Sequence, residues 1–116
     1  MTRVWVKMGP HEGGTKIPKN LQMELEMRAV TFSKRHEWYP EQQLNLRFKN
    51  QFCYVDENKR NGEKRRLGRL RYQGNDQWSI AFFTYSTEEY VPYLFESGEY
   101  LGTFEAGLKI CEEGLS

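Results

Sequence analysis

"QLNLRFKNQFCYVD", residues 43–56, decides the fold. Leu44, Leu46 and Phe48 alternate with Asn45 and Arg47, the two-residue rhythm of a strand with one covered face. Lys49 and Asn50 then offer a tight turn, because asparagine tolerates positive φ better than most residues. Phe52 and Tyr54 return against Cys53 and Val55. The stretch predicts an antiparallel hairpin, and the segments on either side are read against it.

Upstream the period changes. Leu21, Leu25, Ala29 and Phe32 recur at helical spacing, and Met23, Met27 and Val30 widen the apolar face. Pro18 suits a first helical turn, where its missing N–H costs nothing, and Pro40 marks a point by which the helix has ended. A long helix is expected over 18–38. Before it, Gly9, Pro10, Gly13 and Gly14 punctuate an irregular segment, 1–17, in which only "RVWVKM" reads as a short strand.

Downstream, "ENKRNGEK" is a polar loop and "RRLGRLRYQ" a third strand. "QWSIAFFTY" is almost continuously apolar, as in a strand buried on both faces. "YVPYLF" follows, and Pro92 assigns it to an edge because it cannot donate to a ladder. "YLG" offers one more short strand. Thr103 then reads as the N-cap of a helix with Phe104, Leu108 and Cys111 on one side and Glu105 in the first turn.

These elements compose one α+β domain over 1–116. An antiparallel β-meander of four to six strands spans 43–102, the long N-terminal helix packs on one face, and a short C-terminal helix covers 103–113. The 116 residues suffice for one core without metal or disulfide. Mean hydropathy is −0.83, yet 3 Trp, 7 Tyr and 7 Phe supply large apolar area per side chain. No run approaches the length of apolar sequence that spans a bilayer and no signal peptide is visible, so no membrane partner and a cytoplasmic location are expected. There, Cys53 and Cys111 read as small buried hydrophobes.

The formal net charge of +1 conceals an asymmetry: 16 Lys/Arg against 8 Asp/Glu in residues 1–72, and 1 against 8 in residues 73–116. Seven of the cations fall within residues 58–72. Lys64, Arg65, Arg66, Arg69 and Arg71 would neutralise phosphates, with Tyr72, Trp78 and Tyr85 stacking on unpaired bases. The alternative is a solvated strand face. Arg69 and Arg71 alternate with Leu70 and Tyr72, and Glu88, Glu89, Glu96 and Glu99 are available as partners.

Catalytic and cofactor signatures are incomplete. His11-Glu12 and His36-Glu37 open like a zinc-protease motif, but Thr15 and Pro40 stand where the second histidine belongs. Gly9 and Gly14 have phosphate-loop spacing, but Thr15 precedes Lys16 rather than following it. No metal, cofactor or catalytic residue is assigned. A hydrolase built on His36, Glu37 and Cys53 is carried only as a further alternative.

"GGTKIP", "LRFKNQFCYVD", "RLRYQG", "WSIAFFTYS" and "SGEYLGTFEAG" resemble, in this order from Gly13 to Gly107, a group of small bacterial proteins of unknown function. The resemblance implies a bacterial, intracellular, single-domain protein and brings no ligand or catalytic residue with it. Glycine would be expected where Asn50 stands. The residues themselves favour a non-enzymatic binding domain, a homo-oligomer or partner-binding module, that works through an aromatic-rich sheet face carrying Tyr72, Trp78, Tyr85, Tyr90 and Tyr93. Nucleic-acid binding through residues 59–71 is the alternative.

Overall fold

The hairpin forms as read. Strand β1 (Gln42–Lys49) pairs antiparallel with β2 (Phe52–Lys59) through Leu46↔Val55 and Phe48↔Cys53, and Asn50 turns the chain at φ 54°. The structure, a computed structural model, describes residues 13–116. The strand expected in "RVWVKM" lies outside them, as do His11 and Glu12.

Strands β3 (Lys64–Tyr72), β4 (Trp78–Thr84) and β5 (Glu89–Tyr93) extend the hairpin into a five-stranded antiparallel meander in sequence order. The edge position expected from Pro92 is the one β5 occupies. β4 is next to the edge, yet Trp78, Ser79, Ile80, Ala81 and Phe83 are all buried, so its continuous apolar run reports burial on both faces. The strand expected in "YLG" reduces to one bridge between Trp78 and Gly102.

Helix α1 (Lys19–Ser33) and helix α2 (Phe104–Glu112) cover the same face of the sheet. Leu25, Ala29 and Phe32 from α1, and Phe104, Leu108, Ile110 and Cys111 from α2, close over Leu46, Cys53, Val55, Leu67, Leu70, Trp78 and Ile80. Thr103 caps α2 by accepting a hydrogen bond from the Ala106 amide, as its sequence position suggested.

Two expectations for α1 are corrected. The helix ends at Ser33 rather than near residue 38. Beyond it the chain turns so that the His36 ring stacks on Phe32 and Trp38, and the Trp38 indole N–H donates to Glu112 at 3.0 Å. Met23 and Met27 do not widen the covered face, for they are 70% and 72% exposed.

Glycines set how closely α2 lies on the sheet. A Cβ at Gly107 would stand 2.2 Å from the Leu70 Cδ2, and one at Gly68 would stand 2.7 Å from the Cys111 Sγ. Arg28 closes the same layer from the side. Its Nε and Nη2 donate to Glu105 of α2 at 2.8 and 2.6 Å, and Nη2 reaches Asp76 in the β3–β4 turn at 3.1 Å. Among the described residues no helix is long and apolar enough to cross a membrane.

Candidate functional site

The face of the sheet turned away from both helices is built by one irregularity. Pairing of β2 with β3 runs Val55↔Gly68 and then Asp56↔Arg66, so Leu67 is an extra residue in β3. Such a bulge shifts the alternation by one position and re-aims the side chains beyond it. Leu67 and Leu70, three residues apart, therefore both enter the core. Lys64, Arg66, Arg69 and Arg71 consequently share the other face, although Arg66 and Arg69 are also an odd number of residues apart.

Register places rings beside these cations. Arg71 lies across from Phe52, and Arg69 across from Tyr54. The Arg69 guanidinium sits 4.6 Å from the Phe52 centroid and 5.2 Å from that of Tyr90, and Arg71 sits 4.7 Å from Phe52. Arg66 lies over Phe83 at 5.5 Å and Arg47 of β1 over Tyr54 at 4.9 Å. Tyr54 and Tyr90 meet edge to face at 5.5 Å although two strands separate them, so the face curves inward. Tyr90 also packs edge to face with Phe83 at 5.0 Å. A planar guanidinium laid on a ring keeps its N–H edge for other partners.

The charge on this face is one-sided. Arg47, Lys49, Lys64, Arg66, Arg69 and Arg71 project from it, and among the described strand residues Asp56 is its single carboxylate. Asp56 is buried and bound by Arg47. That contact holds the Arg47 pKa above its ordinary value. The Tyr90 hydroxyl is pushed upward, first by burial and then by the Asp56 charge.

Several sequence expectations change here. Glu96 pairs with Lys109 rather than with the third strand, and the strand residues opposite Arg69 and Arg71 are Tyr54, Ala81, Phe52 and Ser79. Among the described strand residues, then, none directly opposite Arg69 or Arg71 is acidic. Tyr72 and Trp78 point into the core: Trp78 is fully buried, with its indole N–H on Asp76 at 3.0 Å. Tyr93 stands on the helix side of edge strand β5, against Phe82. Tyr90 lies on the open face, and so does Tyr85, whose hydroxyl accepts from the Arg66 amide at 2.6 Å. Arg65 turns to the other side, where its Nε lies 3.7 Å from the buried Glu57.

Comparison of the chain with protein-family models, curated proteins and solved structures finds no match. The site therefore rests on its own geometry. Phe52, Tyr54, Phe83 and Arg47 belong to it and were missed as site residues. The signal was present: Phe52 and Tyr54 alternate with the core residues Cys53 and Val55, and so face away from the helices with Arg69 and Arg71.

The hydrolase alternative finds no such convergence. His36 uses its ring nitrogens on the Phe32 carbonyl at 2.8 Å and on Glu112 at 3.4 Å. Glu37 is exposed. Cys53 is fully buried, and desolvation raises its thiol pKa well above the ordinary value, which favours the neutral, unreactive form. Among the described residues no group of three or more His, Cys, Asp or Glu side chains is arranged to hold a metal ion.

Proposed function

We propose that this chain is a cytoplasmic, non-enzymatic binding domain whose open sheet face takes single-stranded nucleic acid. One observation carries the reading: Arg66, Arg69 and Arg71 share a face with Phe52, Tyr54, Phe83 and Tyr90, the guanidinium groups lie on the rings, and among the described strand residues a single carboxylate, already paired with Arg47, accompanies them. Cations that track phosphates, interleaved with planar groups on which bases stack, are what a sequence-tolerant single-strand site requires. Arginine and aromatic residues are enriched at protein interfaces as well, so what favours a nucleic acid over a protein partner is the excess of cations on this face, which suits a polyanion.

If Arg66, Arg69 and Arg71 each neutralise one phosphate, log K should fall with log salt at a slope of about −2. Fluorescence anisotropy with labelled deoxythymidine and uridine oligomers measures it. Saturable binding with that slope supports the reading; no binding at about 50 mM salt overturns it.

A second observation favours self-association by a different surface. Val91 and Tyr93 of the edge strand β5 and Leu94 just beyond its end are 41%, 49% and 45% exposed, and an edge with unpaired backbone groups and apolar side chains invites another strand. Light scattering at micromolar concentration distinguishes a dimer from the monomer that would remove this reading.

A further inference from the structure

Arg69 uses its donors differently from other arginines of the fold. Arg28 gives its N–H groups to Glu105 and Asp76, the exposed Arg47 gives its own to Asp56, Arg71 gives one to the Gly13 carbonyl, and Arg65 lies beside Glu57. The Arg69 guanidinium is held between the Phe52 and Tyr90 rings, and among the described residues no carboxylate, carbonyl or hydroxyl accepts from it. Two rings occupy the faces of a guanidinium and leave its five N–H donors unsatisfied. Such a group is already oriented for a planar or tetrahedral oxyanion, and little ordering remains for the ligand to impose.

Next to Arg69 the sheet has room for one. On β4 the residues facing Arg71 and Arg69 are Ser79 and Ala81, which are small. Their size leaves a trough of about 30 Å³ lined by Arg69, Arg71, Ser79, Ile80, Ala81 and Pro92. That is roughly twice the 10–15 Å³ that admits one water, enough for the outer oxygens of a phosphate group but not for a base. Ser79 is 2% exposed, and its hydroxyl makes no hydrogen bond among the described residues. Pro92, opposite Ala81, walls the trough on the far side and has no N–H of its own.

We infer that this trough is the seat of a single phosphate group, gripped by the N–H edge of Arg69 with Arg71 beside it and Ser79 on the floor. The inference rests on the single-strand reading only for the source of the phosphate. It names where on the face one backbone phosphate is fixed, and so which rings, Phe52 and Tyr90, flank the bound nucleotide.

Amide and Arg Nε signals of the full chain are followed by nuclear magnetic resonance during titration with inorganic phosphate, with sodium chloride of equal ionic strength as the control. Expected is a saturable shift at Ser79, Ala81 and the Arg69 Nε that chloride does not reproduce. Ala81→Val fills the trough and keeps every charge; Arg69→Lys keeps the charge and loses the planar fork. Each should weaken phosphate by about tenfold while signals of α1 and α2 stay in place. Absence of a phosphate-specific shift at Ser79 and Ala81, or phosphate binding unchanged in both variants, overturns the seat. A labelled deoxythymidine oligomer separates the two readings. Oligomer binding with the same affinity and salt slope in wild type and Ala81→Val removes the seat and leaves the face. A phosphate-specific shift without oligomer binding upholds the seat and assigns it to a free phosphorylated small molecule.

Discussion

Replacing Gly107 by alanine tests whether α2 lies on β3 as closely as the structure has it. The new methyl would stand 2.2 Å from the Leu70 Cδ2 and 3.1 Å from its Cγ, and Leu70 is fully buried. Ordinary van der Waals contact begins near 3.4 Å, so either Leu70 changes rotamer inside a packed core or α2 lifts from the sheet. Overpacking of this kind costs about 1–3 kcal/mol, and a contact this short against a side chain with nowhere to go belongs at the upper end. Alanine in place of glycine in a helix interior returns about 1 kcal/mol. The net expectation is a loss of about 1–2 kcal/mol. Urea unfolding followed by tryptophan fluorescence reads it, and the melting temperature should fall by roughly 5–10 °C. The double variant Leu70→Ala, Gly107→Ala supplies the control: with the leucine removed, the added methyl enters the space left behind. Its coupling to Leu70→Ala should recover about 1–2 kcal/mol. If Gly107→Ala alone matched or exceeded wild-type stability, the proposed contact between α2 and β3 would be wrong. Leu70 lies between Arg69 and Arg71, so the placement of those two arginines would lose its support as well.

Arg28→Ala should destabilise the chain and flatten its acid limb. The hydrogen bond from Arg28 holds the Glu105 carboxyl below its ordinary value of 4.5, so this contribution is complete above that pH and fades as pH falls through the depressed value. Urea midpoints between pH 7 and pH 3 should converge for wild type and variant as the solution is acidified; a constant gap refutes the linkage. Cys53 and Cys111 are buried free thiols with raised pKa values. Both should resist alkylation in the native chain and react on unfolding, as mass spectrometry will count; rapid native labelling at either would show that the core is open there. Arg69→Ala with Arg71→Ala should weaken oligonucleotide binding and make the salt slope shallower by about 1 to 1.5. A weakened but equally steep response would place the phosphate contacts elsewhere.

What the sequence made legible was local. The alternation of Leu44, Leu46 and Phe48, the turn at Asn50, the edge marked by Pro92 and the cap at Thr103 each state their role within a few residues. The end of α1 was not legible, because it depends on Trp38 meeting Glu112, 74 residues away in sequence. The exposure of Met23 and Met27, by contrast, was legible: at about 100° per residue both fall on the side of the helix opposite Leu21, Leu25, Ala29 and Phe32, so apolar composition there was misread as a wider covered face. Trp78 and Tyr90 were equally plausible as binding rings, yet their neighbours in the fold send one to the core and the other to the open face.

The bulge at Leu67 carries the most weight in the site and had a faint signature. In a regular strand Leu67 and Leu70 would fall on opposite faces, and so would Arg66 and Arg69. Both pairs violate alternation by one residue, at the same place, with Gly68 between them. An extra residue there resolves both conflicts together: it returns the two leucines to the core and gathers the arginines on the other side. Gly68 also leaves room for the Cys111 thiol, since a Cβ there would collide with it. The packing of α2 and the convergence of the cations therefore depend on the same two residues. Deleting Leu67 would leave Arg66 and Arg69 two positions apart, on one face by simple alternation with Leu70 still in the core; at their present spacing of three, only the bulge lets the arginine pair and the leucine pair each keep one face. The packing of the core thus sets the direction in which Arg66 and Arg69 point, and among the described strand residues the one carboxylate on their face, Asp56, is already bound by Arg47.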